Sequence, residues 1–581
     1  MSVSCPAIAE PEPVAAEPVP SRRVAYRRVT VRHPPARHAA TDVTSGLRLR
    51  AWWAFAAVVA VLFLFTNLGG WRVFNTHEAF AVVPAGEMLD SGDYLVPTYG
   101  GVPRLKKPPL IYWTLAAAGG LAGGLDAWTV RLPSALAALA LAWLIGRRAA
   151  AWYGTPAGVA AFLAQVTAPW VVTYGRTAEV DLLLCLLSTS ALLIASRDRE
   201  AGPLPWAWIG LLLGVSALGK FAFSPALALA TIVVFVVVER RGAELAAVVR
   251  SRTGRCGLAY LTVGLLAWPL AVWWQRPEVA AVWYEELVGR AVGTLGTQPW
   301  WYYLPPLLWL TLPWSPLAVP AAVRSWGQAF GRGRDLGRLG SRERFLWVWL
   351  LTQVVLLSLS ANKHKHYLLP VLPVISLWAG KRVAEFADRV AAGRPVHGWA
   401  AAVVGSVGLA SAFLGGFFAF GDRLDPAAFG PLAAASAVTA SLAVAAFVLL
   451  PLKKPQTAAA IALLIFTVPY AYAMTAVVPA ADSRRDLAAF AAEVDRLVPA
   501  GEPIAAAGIG EHEIVPLLTH RVRRDLASAP DAYLLTNEPP TDRPFLLRDA
   551  VAGLVLVGPE TATDAPRAVA IEQVPAADAG S

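Results

Sequence analysis

Long apolar runs recur along almost the whole chain, and this recurrence restricts the fold more than any other property. A run of about 20 apolar residues satisfies its backbone polar groups inside a bilayer only as a helix. The sequence has 581 residues, 56% of them hydrophobic. It holds about 13 such runs of roughly 17 to 25 residues, each bounded by charge, Gly or Pro. They centre near Val59, Leu136, Phe162, Leu186, Leu212, Val234, Leu265, Leu308, Val354, Ile375, Leu409, Leu442 and Leu463. The expected class is an all-α polytopic membrane protein, in which the pairs near Phe162/Leu186 and Leu212/Val234 are each either two helices or one bent helix.

Charge supplies the orientation. Lys and Arg collect before Ala51, at Arg147-Arg148, from Arg197 to Arg199, Arg240 to Arg255, Arg324 to Arg344 and Lys381 to Arg394, and at Lys453-Lys454. Short cytoplasmic loops retain such charge during insertion, so these loops are read as cytoplasmic and the others as facing the periplasm or exterior. The net charge of +10 is then a topology signal, and no nucleic-acid partner is expected. Residues 1–50, rich in Pro, Ala and Arg, read as a disordered basic cytoplasmic tail with no apolar h-region of a signal peptide. Residues 51–480 form the transmembrane domain, with residues 75–113 as its first extracytoplasmic loop. An odd number of spans leaves residues 481–581 outside as a small soluble α/β domain. There Asp486 to Leu497 reads as an amphipathic helix, Ile504 to Ile509 and Gly553 to Val557 as strands, and His512 to Leu518 as a further helix. Cys5, Cys185 and Cys256 are too scattered for a disulfide framework or a metal cluster.

The first extracytoplasmic loop carries charge beside the bilayer, where charge is costly without a task. Asn75-Thr76-His77-Glu78 opens a short helix that stops at Asp90-Ser91-Gly92-Asp93. Thr76 suits an N-cap, and Glu78 complements the positive helix end, so helix stabilisation and chemistry are both open to Glu78. Lys106 and Lys107 precede Pro108-Pro109, which bars helix until Leu110. Spare lysines are disfavoured on the outward side, so an anionic lipid phosphate accounts for this pair better than a snorkelling anchor does.

Further charge marks the same boundary. Arg176 and Asp181 are near enough in sequence to pair, and Asp181 leads directly into a span. Lys220 follows Gly219, while Glu286 and Arg290 share a helix face at a spacing of four. Lys363 and Lys365 alternate with His364 and His366 before Tyr367; this spacing fits phosphate better than metal, for want of thiolate or carboxylate nearby. Pro299-Trp300-Trp301-Tyr302-Tyr303 suits an interfacial aromatic belt and equally a sugar or isoprenoid contact.

The order of these motifs resembles the GT-C-fold lipid-linked-sugar glycosyltransferases, chiefly the bacterial aminoarabinose transferases acting on lipid A and more distantly the protein O-mannosyltransferases. The matching stretches are His77-Glu78, Ser91-Gly92-Asp93-Tyr94-Leu95-Val96-Pro97, Lys106-Lys107-Pro108-Pro109-Leu110-Ile111-Tyr112-Trp113, Arg176 through Asp181, Gly219-Lys220, Glu286 through Arg290 and Tyr367-Leu368-Leu369-Pro370. The resemblance implies 13 spans, a bacterial inner-membrane location and sugar transfer from a polyprenyl-phosphate donor, with inversion. The acceptor would be an extracytoplasmic glycolipid, polysaccharide or protein. It places His77, Glu78 and Asp181 on the acceptor side and Lys107, Arg290, Lys363, Lys365 and Tyr367 about the donor phosphate, with Lys106, Arg176, Lys220 and Glu286 in support. Two residues depart from the family pattern. His77 replaces its first acidic residue, and Lys106 replaces a Glu that binds metal in some relatives, so no cofactor is assigned. A transporter or flippase of a lipid-linked or anionic substrate and an inactive lipid-phosphate-binding relative are the competing readings.

Overall fold

The computed structural model describes residues 41–70, 76–289, 292, 296–311, 314–331, 337–394, 487–509, 512, 514–540, 543–549, 553–559 and 569–571. The expected spans near Leu409, Leu442 and Leu463, residues 1–40 and Arg290 lie outside them. Helix α1 (Thr41–Phe65) is followed by α2 (Thr76–Ser91), a hairpin of β1 (Thr98–Tyr99) and β2 (Val102–Pro103), and α3 (Leu110–Ala122). Then come α4 (Ala127–Tyr153), α5 (Thr155–Thr167), α6 (Pro169–Gly175), α7 (Asp181–Ala195), α8 (Trp206–Lys220) and α9 (Phe223–Val238). Next are α10 (Gly242–Arg250), α11 (Arg252–Gln275), α12 (Val279–Tyr284), α13 (Leu304–Trp309), α14 (Ser315–Phe330), α15 (Arg338–Leu359) and α16 (Leu372–Ala391).

Among the described residues, α4 and α11 are long and apolar enough to cross a membrane, and the α5–α6 pair, bent by 60°, makes a third candidate. Residues 50–65 of α1, together with α3, α7, α8 and α9, are shorter apolar helices. The expected total of about 13 spans is not reproduced by these helices. The two ambiguous pairs resolve as separate helices. Phe162 lies in α5 and Leu186 in α7, while Phe221, at φ 48°, breaks the chain between α8 and α9. Pro169 forces the α5–α6 bend, because its ring removes an N–H and clashes with the preceding turn.

Apolar side chains face apolar lipid as readily as each other, so helices in a bilayer associate through close packing. Such packing is tightest between α8 and α11. A Cβ built on Gly210 would lie 2.0 Å from the Gly257 carbonyl oxygen, and one on Gly264 would lie 2.1 Å from that of Gly214. The two backbones therefore touch. A buried polar network joins other helix ends: Glu343 accepts hydrogen bonds from Tyr153 Oη (2.8 Å), Lys381 Nζ (2.8 Å) and Trp378 Nε1 (3.1 Å), and Lys381 also donates to Gln328 (2.8 Å). Beside it Arg344 pairs with Glu239 at 2.5 Å. Glu343, Arg344 and Lys381 were expected at loop margins, but all three are buried.

Near the C-terminus, α17 (Ala488–Leu497) covers a sheet of β3 (Ile504–Ala507), β4 (Val522–Arg523), β5 (Tyr533–Thr536), β6 (Phe545–Asp549), β7 (Val555–Val557) and β8 (Val569–Ile571). The strand order is β4-β3-β5-β7-β6-β8, with β7 antiparallel to both its neighbours and the remaining pairs parallel. Ile504 and Ala506 face a core with Phe490 and Val494, whereas Ala505 points the other way, as strand alternation requires. The helix expected near His512 to Leu518 is only a single 3-10 turn, Val515–Leu517, since Pro516 lacks the donor N–H that helix propagation needs.

Candidate active site

Five segments converge at one end of the helices: the start of α2, the segment before α3, the start of α7, the end of α8 and the 3-10 segment Lys365–Val371. Helix α2 begins at Thr76, and Glu78 lies buried in its first turn. The Glu78 carboxylate receives Arg131 Nε at 2.8 Å, Arg131 Nη2 at 3.0 Å and the Ala178 N–H at 3.0 Å. This bidentate ion pair fastens α2 to α4 and to the segment before α7. Glu78 thus holds three elements together, the structural role that its place in the first turn of the helix had left open beside an acceptor-side one.

Asp181 also has a different partner from the one its sequence neighbours suggested. It pairs with Lys220 Nζ at 2.7 Å. Arg176 instead donates to the Phe63 carbonyl at 3.2 Å and the Thr66 carbonyl at 2.7 Å, tying α6 to the end of α1. Lys220 lies 5.5 Å over the Tyr367 ring, and Tyr367 in turn packs against Phe223 (4.8 Å) and His366 (4.6 Å). The His364 and His366 rings stack at 5.4 Å, and Tyr174 adjoins His366 at 5.5 Å.

Pro108 and Pro109 hold Lys107 in an extended approach to this cluster. Burial first, then the positive charges of Lys220 and Arg104, push the Lys107 ammonium down to about 8, against the pull of Asp181 and Glu179. Glu179 is pushed up to about 7 by burial and next by the Asp181 charge, with Lys220 and Lys107 opposing. His77, exposed beside Phe80, is held below the ordinary imidazole range by desolvation first and by Lys107 and Lys220 after it. Its ring is therefore neutral near pH 7 and able to accept a proton.

The cluster thus joins His77, Lys107, Asp181, Lys220 and Tyr367 from the sequence expectations. Lys106 and Lys365 are exposed. Lys363 is buried and donates to the Gln298 carbonyl at 2.9 Å, which fastens the 3-10 segment to the preceding loop. Glu286 sits on a π-helical turn, Glu285–Gly289, in place of the expected α-helix. Arg131, Arg104 and Glu179 escaped sequence reading. Arg131 stands among apolar residues, and an arginine so placed is itself a sign of a buried partner. Arg104 donates to Tyr112 Oη at 2.7 Å and lies 4.7 Å over the Phe80 ring.

An ammonium, Lys106, stands where some relatives place a carboxylate ligand, and among the described residues no three His, Cys, Asp or Glu side chains converge as a site.

Residues 106–274 match the dolichyl-phosphate-mannose-protein mannosyltransferase family. The chain is 27% identical over 315 residues to an undecaprenyl phosphate-alpha-4-amino-4-deoxy-L-arabinose arabinosyl transferase of Pseudomonas fluorescens, covering 52% of each protein. It is 30% identical over 314 residues to the enzyme of that name from Pseudomonas aeruginosa, covering 51% of this chain and 53% of that one. The chain thus spans about half the length of the curated relatives it matches. Among solved structures it is similar to ArnT from Cupriavidus metallidurans bound to undecaprenyl phosphate, with TM-score 0.68 and 19% identity over 89% of this chain and 99% of that one. The apo form of that protein gives TM-score 0.65 and 20% identity over 90% and 98%. The fold is therefore the one that ArnT adopts, and the sequence resembles the GT-C-fold lipid-linked-sugar glycosyltransferases.

Proposed function

We propose that this chain is an integral membrane glycosyltransferase that moves a sugar from a polyprenyl-phosphate donor to an extracytoplasmic acceptor. The observation that carries this reading is the Lys220–Asp181 pair at 2.7 Å with the half-buried Lys107 within electrostatic reach of both, on the fold of a protein solved with undecaprenyl phosphate. A desolvated ammonium is a strong ligand for a phosphate on which negative charge grows as the anomeric bond breaks. Lys107 and Arg290 bind that phosphate, and Lys220, fixed by Asp181 and Tyr367, adds a second fixed charge. Lys363 acts through the segment it anchors, and Lys365 through its exposed charge.

In the reaction, an acceptor oxygen attacks the anomeric carbon from the face opposite the phosphate. The carbon–oxygen bond to phosphate breaks, polyprenyl phosphate leaves with the bonding electron pair, and the configuration inverts. A hydroxyl acceptor must lose its proton, and Glu179 and His77 are the groups whose ionisation suits taking it near neutral pH. An acceptor that is already an anion needs neither.

The same reading places the chain in the bacterial inner membrane with about 13 spans, its N-terminus cytoplasmic, and the Lys107 cluster and the sheet domain outside. A transporter would carry its functional charge near the bilayer midplane, between broken helices; here the cluster gathers where helices begin and end. Transfer of labelled sugar from polyprenyl phosphate in membranes tests the proposal. Loss of transfer in Lys107→Ala supports it, and undiminished transfer overturns it. Donor binding without transfer in the unaltered protein would identify an inactive phosphate-binding relative.

A further inference from the structure

The β1–β2 hairpin, which leads into Lys107, is gripped from two sides. From α2, the Glu87 carboxylate accepts hydrogen bonds from the Thr98 hydroxyl, from the Gly100 N–H at 2.6 Å and from the Gly101 N–H at 3.4 Å. From the sheet domain, the Arg524 N–H donates to the Gly100 carbonyl at 2.7 Å, and the Tyr99 hydroxyl donates to the His512 carbonyl at 2.7 Å. Tyr99 is fully buried, and its ring belongs to the core of the sheet domain together with Phe490, Val494 and Leu535. The Tyr99 and His512 partners are 413 residues apart in sequence, so the contact is a tertiary seat rather than a local turn.

The turn itself is built for close approach. Gly100 and Gly101 have φ of 63° and 75°, the mirror-image conformation that a two-residue hairpin favours and that side chains other than glycine resist. A Cβ on Gly100 would lie 2.8 Å from Arg524 Cγ. Beyond the hairpin the Arg104 N–H donates to the Pro97 carbonyl at 2.7 Å, and its guanidinium bridges Tyr112 and Phe80. Phe80, on α2, packs in turn against the sheet-domain core. The segment that leads to Lys107 is thereby held at the hairpin and at Arg104.

We propose that the sheet domain is a positioning clamp for the donor-phosphate lysine: Tyr99, seated in that domain, fixes the hairpin, and the hairpin fixes the Arg104–Lys107 segment over the site. This rests on the reading of Lys107 as a phosphate ligand. A charge carried on an untied loop samples many placements, and a misplacement of about 1 Å costs a reaction up to ~10²-fold. Tyr99 and Glu87 are positioning residues, since neither reaches the cluster around Lys220.

The test uses the full-length protein in lipid nanodiscs, with undecaprenyl phosphate as the binding probe and transfer kinetics as the second readout. Tyr99→Ala is expected to weaken undecaprenyl-phosphate binding and lower kcat/KM for the donor about tenfold in the folded protein, with acceptor KM retained, alongside a thermal midpoint lowered by the emptied core. Tyr99→Phe keeps the ring, loses the hydroxyl and shows about a threefold effect of the same kind. Should Tyr99→Ala fail to fold, the Tyr99→Phe and Glu87→Gln pair combined decides the question by the same split. Wild-type donor affinity in these variants, or an equal rise in acceptor KM, overturns the clamp while leaving the function standing. Failure of the unaltered protein to bind undecaprenyl phosphate removes the functional reading, and the clamp with it.

Discussion

Two charged clusters lie near opposite ends of α4. Arg131 and Tyr153 are separated along that helix by about 33 Å at 1.5 Å per residue. At the Tyr153 end, Glu343 accepts three hydrogen bonds, Lys381 donates to two partners and Arg344 is paired with Glu239. At the other end, Glu78 and Asp181 are also paired, yet Lys107 has no ion-pair partner among the described residues, and Glu179 is pushed to about 7 beside it. A cluster whose charges all have partners has nothing left to offer a ligand. One that keeps a desolvated cation next to a carboxyl poised near neutrality can bind an anion and move a proton.

This contrast is breakable in order of effect. The largest change is expected from Glu343→Leu, which strands the Lys381 ammonium in a buried site and lowers stability by about 3–5 kcal/mol. Thermal unfolding in detergent measures it, and the donor KM of the folded fraction should not move. The Glu343→Leu/Lys381→Met double variant should recover most of the loss, because no unpaired charge remains. Next, Lys107→Ala should reduce kcat/KM for the donor by about 10²-fold with an unchanged thermal midpoint, the reverse of the first pattern. A large drop in midpoint would make Lys107 structural and erase the distinction between the two ends.

The pH profile gives a smaller and sharper test. Glu179 is neutral below about 7 and ionised above it, while Lys107 is cationic below about 8 and neutral above it. With Glu179 as base, kcat/KM therefore rises through the lower value and falls through the higher one. It loses about tenfold per pH unit beyond either limb, with apparent values that belong to the coupled groups jointly. Glu179→Gln should abolish the acid limb, and Lys107→Arg should carry the alkaline limb out of range. A flat profile between pH 6 and pH 9 (roughly one unit beyond each limb) would remove both assignments. The smallest effect belongs to Arg523→Ala, which breaks an exposed pair with Asp525 and should change the midpoint by less than about 0.5 kcal/mol of stability.

Sequence reading carried the site a long way because its segments are local strings: His77, Lys107, Asp181, Lys220 and Tyr367 each stand at the end of an apolar run, where helices must meet a boundary. The choice of partners was not legible. Arg176 is five residues from Asp181, but the turn between α6 and α7 aims it at the carbonyls closing α1, while Lys220, 39 residues away, comes beside Asp181 because α7 packs on α8. Glu78 carried a capping signal strong enough to conceal a buried ion pair with Arg131, 53 residues on. Glu179 had no signal at all, since its ionisation depends on burial and on neighbours assembled from separate helices. Arg344 and Lys381 read as residues of cytoplasmic loops, and their burial in a network depends on helix packing that hydropathy does not encode.

The glycine contact between α8 and α11 has a mechanical consequence. Two helices that touch backbone to backbone along Gly210, Gly214, Gly257 and Gly264 behave as one stiff strut, and Lys220 is mounted at its end. A charge so mounted does not travel to meet its ligand. On the proposed function, a polyprenyl phosphate would have to be delivered to within reach of it, and discrimination among sugars would fall to parts of the molecule that are not riveted in this way.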